Sequence, residues 1–183
     1  MLIEEYLRRE KAALTRSEFI DGEQLPIASS TIRHCRLVTD TATTLATLSR
    51  PTHYGVYISS LRLRTEAQQA VFYPDVSVVC GKEIVDTDDC LCNPIILLEV
   101  TSTATESYDR TKKWVRYQQI PSLRAYILIS QSQLLIEVFE RADESSDWIY
   151  RSITERNHSI QIHCLGIELK ATRVYRRVEF SEE

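Results

Sequence analysis

The chain has 183 residues and a net charge of −4: long enough for one domain, 1–183, with a full core, and without a global basic field that would gather nucleic acid. Four Gly and five Pro leave little for long flexible linkers. No apolar run nears the roughly 18 residues that span a membrane, and the first ten residues are charged throughout rather than signal-like, so a cytoplasmic protein without membrane contact is expected.

Along the chain, residues 2–14 read as a short helix. The segment 16–25 reads as a β-hairpin, because Asp21-Gly22 suits a tight primed turn. Ser29, Ser30 and Thr31 offer N-caps. After them Ile32, Cys35, Val38, Ala42, Leu45 and Leu48 recur at helical spacing, predicting an amphipathic helix over 31–49 that Pro51 stops. Residues 54–80 read as consecutive strands, the last running unbroken from Val71 to Cys80, and 81–93 as an acidic, irregular loop. The apolar run 94–101 predicts a central buried strand, followed by a helix over about 105–119 that Pro121 ends. Then come strands at 125–130 and 134–141, paired as a hairpin, two more at 148–153 and 159–164, and a short basic helix or turn at 171–178. Strands, a helix and strands again around one apolar run imply an α/β or α+β fold with a mixed sheet.

Two carboxylates stand in apolar company. Asp75 follows Phe72-Tyr73-Pro74 and leads into Val76, and Glu99 ends the run Pro94 to Leu98. A carboxylate at the end of a buried strand loses water and needs a cation or donor, so two such acids on neighbouring segments are candidates to share one divalent metal ion. Glu99 and Thr101 point to one face of their strand, and Asp109, Lys113 and Tyr117 share one face of the next helix. Two carboxylates and a lysine around a hard cation suit phosphodiester hydrolysis. The alternatives are a solvated Asp109–Lys113 ion pair and a Glu99 paired with Arg62 or Arg64. Five scattered Cys argue against a disulfide framework, and the Cys90-x-Cys92 pair beside Asp86, Asp88 and Asp89 hints only weakly at structural zinc. No phosphate-binding loop, dinucleotide fingerprint, nucleophile elbow or H-E-x-x-H motif is present. Of the four His, His34 stands out for its place near a helix start.

The order of Glu18-Phe19-Ile20-Asp21-Gly22-Glu23, His34 opening a helix, Tyr73-Pro74-Asp75-Val76, Pro94 through Thr103, Asp109-Arg110-Thr111-Lys112-Lys113 with Tyr117, and Ile120-Pro121-Ser122-Leu123 resembles the Uma-two family. These are small bacterial proteins classed with restriction endonucleases of the PD-(D/E)XK type, and the likeness runs over about 2–178. The resemblance implies a restriction-endonuclease-like mixed β-sheet flanked by helices and extended by β-hairpins. It implies a Mg²⁺- or Mn²⁺-dependent endonuclease acting on DNA, with Asp75, Glu99 and Lys113 catalytic, Asp75 and Glu99 holding metal, and Glu18 joining them through water. Thr101 stands where the wider superfamily has its lysine, which this family draws from the following helix as Lys113. His34, Thr101 and Tyr117 are accessory candidates. The chain departs from the family at Thr101-Ser102-Thr103-Ala104 and at Ala125, where an acid is frequent. A DNA-binding face is expected from Arg110, Lys112 and Arg116, with Arg173, Arg176 and Arg177 at the C-terminus. A two-fold dimer is the default for cutting both strands. A catalytically inactive nucleic-acid- or protein-binding module on the same fold is the alternative.

Overall fold

The computed structural model describes residues 1–48, 53–65 and 70–180; Pro51 lies outside them. Helix α1 spans Ile3–Ala12. Strands β1 (Ser17–Ile20) and β2 (Glu23–Pro26) form the expected hairpin. Its turn residues Asp21 and Gly22 both have positive φ, 53° and 84°, the geometry of a primed turn. Helix α2 spans Ile32–Leu48, and Thr31 caps it, its Oγ1 accepting from the His34 amide at 3.0 Å.

The segment 71–80 is two strands, not one: β5 (Ala70–Phe72) and β6 (Val76–Cys80). Between them Pro74 has no N–H to give a ladder, and the Tyr73 amide donates to the Glu18 carboxylate at 3.1 Å. The break moves the chain between sheets. Strand β5 belongs to a five-stranded sheet ordered β2-β1-β5-β4-β7, with β4 at Arg62–Thr65 and the short β7 at Cys90–Leu91. Strand β6 belongs to a six-stranded sheet, β11-β10-β9-β8-β6-β3. Its other members are β3 (Tyr54–Ile58), β8 (Ile96–Thr101), β9 (Ala125–Ser130), β10 (Ile136–Glu140) and β11 (Ile149–Ile153).

Strand β8 lies inside this sheet, antiparallel to β6 and parallel to β9. Its side chains alternate between two cores. Ile96, Leu98 and Val100 face a core with α2 and the C-terminal elements. Leu97 faces the other, with Tyr117, Tyr126 and Phe72, and Glu99 and Thr101 share that side. The parallel β8–β9 step needs a crossover, and the helix between them supplies it in three pieces: α3 (Glu106–Tyr108), a π-helical turn (Asp109–Lys113) and α4 (Trp114–Tyr117). The continuous α-helix expected here is thus interrupted. A π turn inserts an extra residue and is frequent at functional sites.

At the C-terminal end β12 (Ser159–Ile162) pairs with β13 (Ile167–Lys170) in a two-stranded sheet that covers the first core. The expected strand 159–164 stops at Ile162, where His163–Leu165 form a 3₁₀ turn closed by Gly166 at φ 65°. Helix α5 follows at Ala171–Val174. The fold is mixed α+β, with mixed sheets flanked by helices and extended by hairpins.

Candidate active site

The site forms where the two sheets meet. Strand β8 delivers Glu99, 4% exposed; the π turn delivers Asp109 and Lys113, 3% and 5% exposed; β1 delivers Glu18, 6% exposed. The Lys113 ammonium sits between three carboxylates: Nζ lies 3.0 Å from Glu99 Oε1, 3.0 Å from Glu18 Oε1 and 3.5 Å from Asp109 Oδ1. It also lies 5.6 Å from the centre of the Tyr108 ring. Tyr117 donates its hydroxyl to the same Glu99 oxygen at 2.9 Å.

Asp75 lies at the sheet switch, held by two groups on one oxygen. Oδ2 accepts from the Val100 amide at 2.8 Å and faces His34 Nε2 at 3.1 Å. Asp75 Oδ1 and Glu99 Oε2 take no part in these bonds. Both residues line a cleft of about 490 Å³ together with His34, Tyr73, Thr105 and Lys113. Behind Glu18, buried Glu10 props its strand, accepting from the Ser17 amide at 2.9 Å and from the Tyr73 hydroxyl at 2.9 Å.

The electrostatics follow from burial. Glu99 is pushed well above the usual carboxylate range by loss of water first; Asp109, Asp75 and Glu18 add to the rise and Lys113 opposes it. Asp109 is raised by burial too, against the pull of Lys113 and a Thr105 hydrogen bond. Burial alone would lower the Lys113 ammonium, but Glu99, Glu18 and Asp109 more than offset it, so it stays protonated well above the ordinary lysine value. Four carboxyl groups thus converge on one lysine and one histidine, and burial with mutual repulsion makes Glu99 and Asp109 harder to ionise.

Among the described residues no three His, Cys, Asp or Glu are gathered as a ready-made metal cage. The lysine occupies the centre that Glu18, Glu99 and Asp109 would otherwise share. The donor set on the cleft side is two carboxylates, Asp75 and Glu99, and it suits a hard cation that keeps most of its waters. Cys90 is a buried filler in the core beside α1, its thiol pushed up to about 12, mainly by burial.

The remaining sequence candidates are spread out. Thr101 is buried, and its carbonyl accepts from the Gln131 amide at 3.0 Å. Arg110 is committed to Glu106 at 2.8 Å and, in a two-pronged pair, to Glu137. Arg116 donates from the single nitrogen Nη2 to both Asp21 carboxylate oxygens, at 2.7 and 2.6 Å. Lys112 and Arg173 are exposed, and Arg176 and Arg177 both bind Asp40. Asp109 is not among the catalytic or metal candidates of the sequence; its spacing of four from Lys113 suggests a solvated ion pair, and the structure buries that pair in the site. Tyr108 and Thr105 carry no such signal.

A family model described as "Putative restriction endonuclease", Uma2, matches residues 3–172. The chain belongs to the Uma2 family. A Synechocystis sp. protein, sll1609, is 32% identical over 166 residues, 89% of this chain and 93% of that one. A second Synechocystis sp. protein, slr1290, is 24% identical over 177 residues, 97% and 92% of the two chains. The Uma2 chain also superposes on the crystal structure of an Anabaena variabilis protein described as a "putative nuclease belonging to DUF820", with a TM-score of 0.76 at 13% identity, covering 96% of this chain and 98% of that one. This likeness establishes a shared fold. Among the described residues no helix is long and apolar enough to cross a membrane.

Proposed function

We propose that this Uma2 chain is a metal-dependent endonuclease of the PD-(D/E)XK type that hydrolyses DNA phosphodiester bonds in the cytoplasm. The observation that carries the reading is the convergence of Asp75, Glu99, Glu18, Asp109 and Lys113 on one open cleft. Asp75 and Glu99 would hold Mg²⁺ or Mn²⁺. Once bound, such an ion would neutralise charge on a phosphate and make a bound water more acidic. The chain's own groups do the rest. Lys113 keeps its proton, so it fixes Glu99 and adds positive charge toward the phosphate rather than acting as a base. Tyr117 orients Glu99, the Val100 amide orients Asp75, and His34 stands at the cleft beside Asp75. Hydrolysis adds water across a P–O bond: hydroxide attacks phosphorus and the leaving oxygen takes up a proton. Cutting both strands would call for a homodimer.

A second reading, a non-catalytic nucleic-acid- or protein-binding module, has one observation in its favour: the lysine already compensates part of the carboxylate charge. A nuclease assay decides between them. Supercoiled plasmid and single-stranded DNA are incubated with Mg²⁺ or Mn²⁺ and wild type or Asp75→Ala. We expect wild-type cleavage that EDTA stops and Asp75→Ala loses; equal activity of the two proteins, or none with either ion, overturns the assignment.

A further inference from the structure

On the α2 side of the six-stranded sheet, away from the π turn, lies a second cleft of about 370 Å³ lined by Arg33, Arg36, Arg176, Arg177, Val178 and Glu179. Arg176 and Arg177 are fixed by the buried Asp40 carboxylate, which takes both guanidinium groups: Arg176 Nε at 2.9 Å and Arg177 Nε at 3.0 Å. Their other faces remain in water, with side chains 56% and 45% exposed.

Arg33 and Arg36 differ. Both are exposed and lie three apart on α2, hence on one face. Their hydrogen bonds go to backbone carbonyls: Arg33 to those of Gln131 at 3.2 Å and Glu179 at 3.4 Å, Arg36 to that of Arg177 at 3.4 Å. Among the described residues neither forms an ion pair. Four guanidinium groups therefore share one committed carboxylate, Asp40, and the exposed Glu179 at the rim, and a net positive charge remains.

The cluster adjoins the active-site cleft. Gln131 lines that cleft, accepts at its side chain from Thr31 Oγ1 at 2.8 Å, and offers its carbonyl to Arg33. His34, the residue after Arg33, faces Asp75. Gln131 thus stands between the cleft and Arg33, and Arg36 follows one turn along α2.

We infer that Arg33, Arg36, Arg176 and Arg177 form a phosphate-backbone binding surface that holds the nucleic-acid strand leaving the catalytic cleft. This rests on the nuclease reading; it keeps Arg176 and Arg177 in the expected DNA face, adds Arg33 and Arg36, and takes out Arg110 and Arg116, whose paired guanidinium groups are far less exposed. Arginine forks suit phosphate oxygens, and such contacts position a strand without reading its sequence.

The test is a salt titration of the full chain, in EDTA so that nothing is cut, with a fluorescein-labelled DNA duplex as probe. Wild type is compared with Arg33→Gln/Arg36→Gln, Arg33→Glu/Arg36→Glu and Lys112→Glu, each checked for unchanged melting. Each lost phosphate contact should lower the slope of log affinity against log salt by about 0.9, so the glutamine pair should lose about 1.8. The glutamate pair should weaken binding further, on every duplex sequence alike, and both arginine pairs should lower the slope more than Lys112→Glu. An unchanged slope in both arginine pairs overturns the inference while leaving the nuclease reading standing. A slope lowered only by Lys112→Glu overturns it by placing the DNA on the opposite face. Absence of any salt-dependent binding by wild type overturns the inference and the DNA reading together.

Discussion

Replacing Lys113 by Met tests how the buried charges are balanced. The ammonium faces carboxylate oxygens at 3.0, 3.0 and 3.5 Å. At an effective dielectric of about 20, each contact is worth about 5 kcal/mol of bare attraction; most of that is cancelled by the water that all four groups give up. Removing the cation alone strands Glu18, Glu99 and Asp109. The expected cost is that of breaking a buried ion pair from one side, about 3–5 kcal/mol. For a chain of this size that is roughly 6–20 °C in melting temperature. Lys113→Met is therefore expected to weaken the fold itself, contrary to the simpler idea that only chemistry would suffer. The pH dependence carries the sign. Glu99 and Asp109 are already raised above the ordinary carboxylate range by burial, and losing the lysine raises them further. An acid raised in the folded state gives stability that is full below its unfolded value and falls as pH climbs through its folded value. The deficit of Lys113→Met relative to wild type should shrink between about pH 8 and pH 5, as the stranded carboxylates protonate. Urea unfolding at both pH values measures it. A deficit below about 1 kcal/mol that is the same at both would show that the ammonium does not balance these acids, and would refute the reasoning.

Two further outcomes are expected. Asp40 is held below the usual carboxylate range: burial would raise it, but the guanidinium groups of Arg176 and Arg177 win. Its stabilisation is thus present above the ordinary carboxylate value and lost as pH falls through the lower folded one. Asp40→Asn should cost about 1–3 kcal/mol at pH 7, less than a fully buried pair because the arginines stay wet, and urea midpoints should show the gap closing in acid. Tyr117→Phe removes the hydroxyl that donates to Glu99 at 2.9 Å. It should cost about 1–2 kcal/mol in thermal unfolding, and a melt indistinguishable from wild type would mean that Glu99 does not depend on this donor.

Local chemistry made some of this architecture readable and left the rest hidden. The apolar run 94–101 announced its strand because a stretch with no polar face has nowhere to go but inside; Ile96–Thr101 is buried throughout. Asp21-Gly22 announced its hairpin because few residue pairs accept two positive φ angles. Asp75 and Glu99 stood out because carboxylates among apolar neighbours are costly, and the fold brings both to one cleft. The sheet switch was hidden because Phe72 and Val76 look like one strand until the Tyr73 amide finds Glu18, 55 positions away. The two-residue β7 and the four-residue β13 were too short to give a period. The arginines misled because their partners are distant: Arg110 meets Glu137 across 27 positions, and Arg176 meets Asp40 across 136. Spacing along a helix sees the near neighbour Glu106 and misses the far one.

The π turn at Asp109–Lys113 makes the length of the crossover helix as binding as a reading frame. Its extra residue lets Asp109 and Lys113 face Glu99 and Glu18 while Tyr117, farther along, still reaches the same Glu99 oxygen. Deleting one residue from the regular winding that follows, with the π turn kept, would rotate everything downstream by about 100° relative to everything upstream. Either the lysine or the tyrosine would then leave the carboxylate. Side chains between the two can be exchanged one for another, but the count of residues between Asp109 and Tyr117 is part of the site.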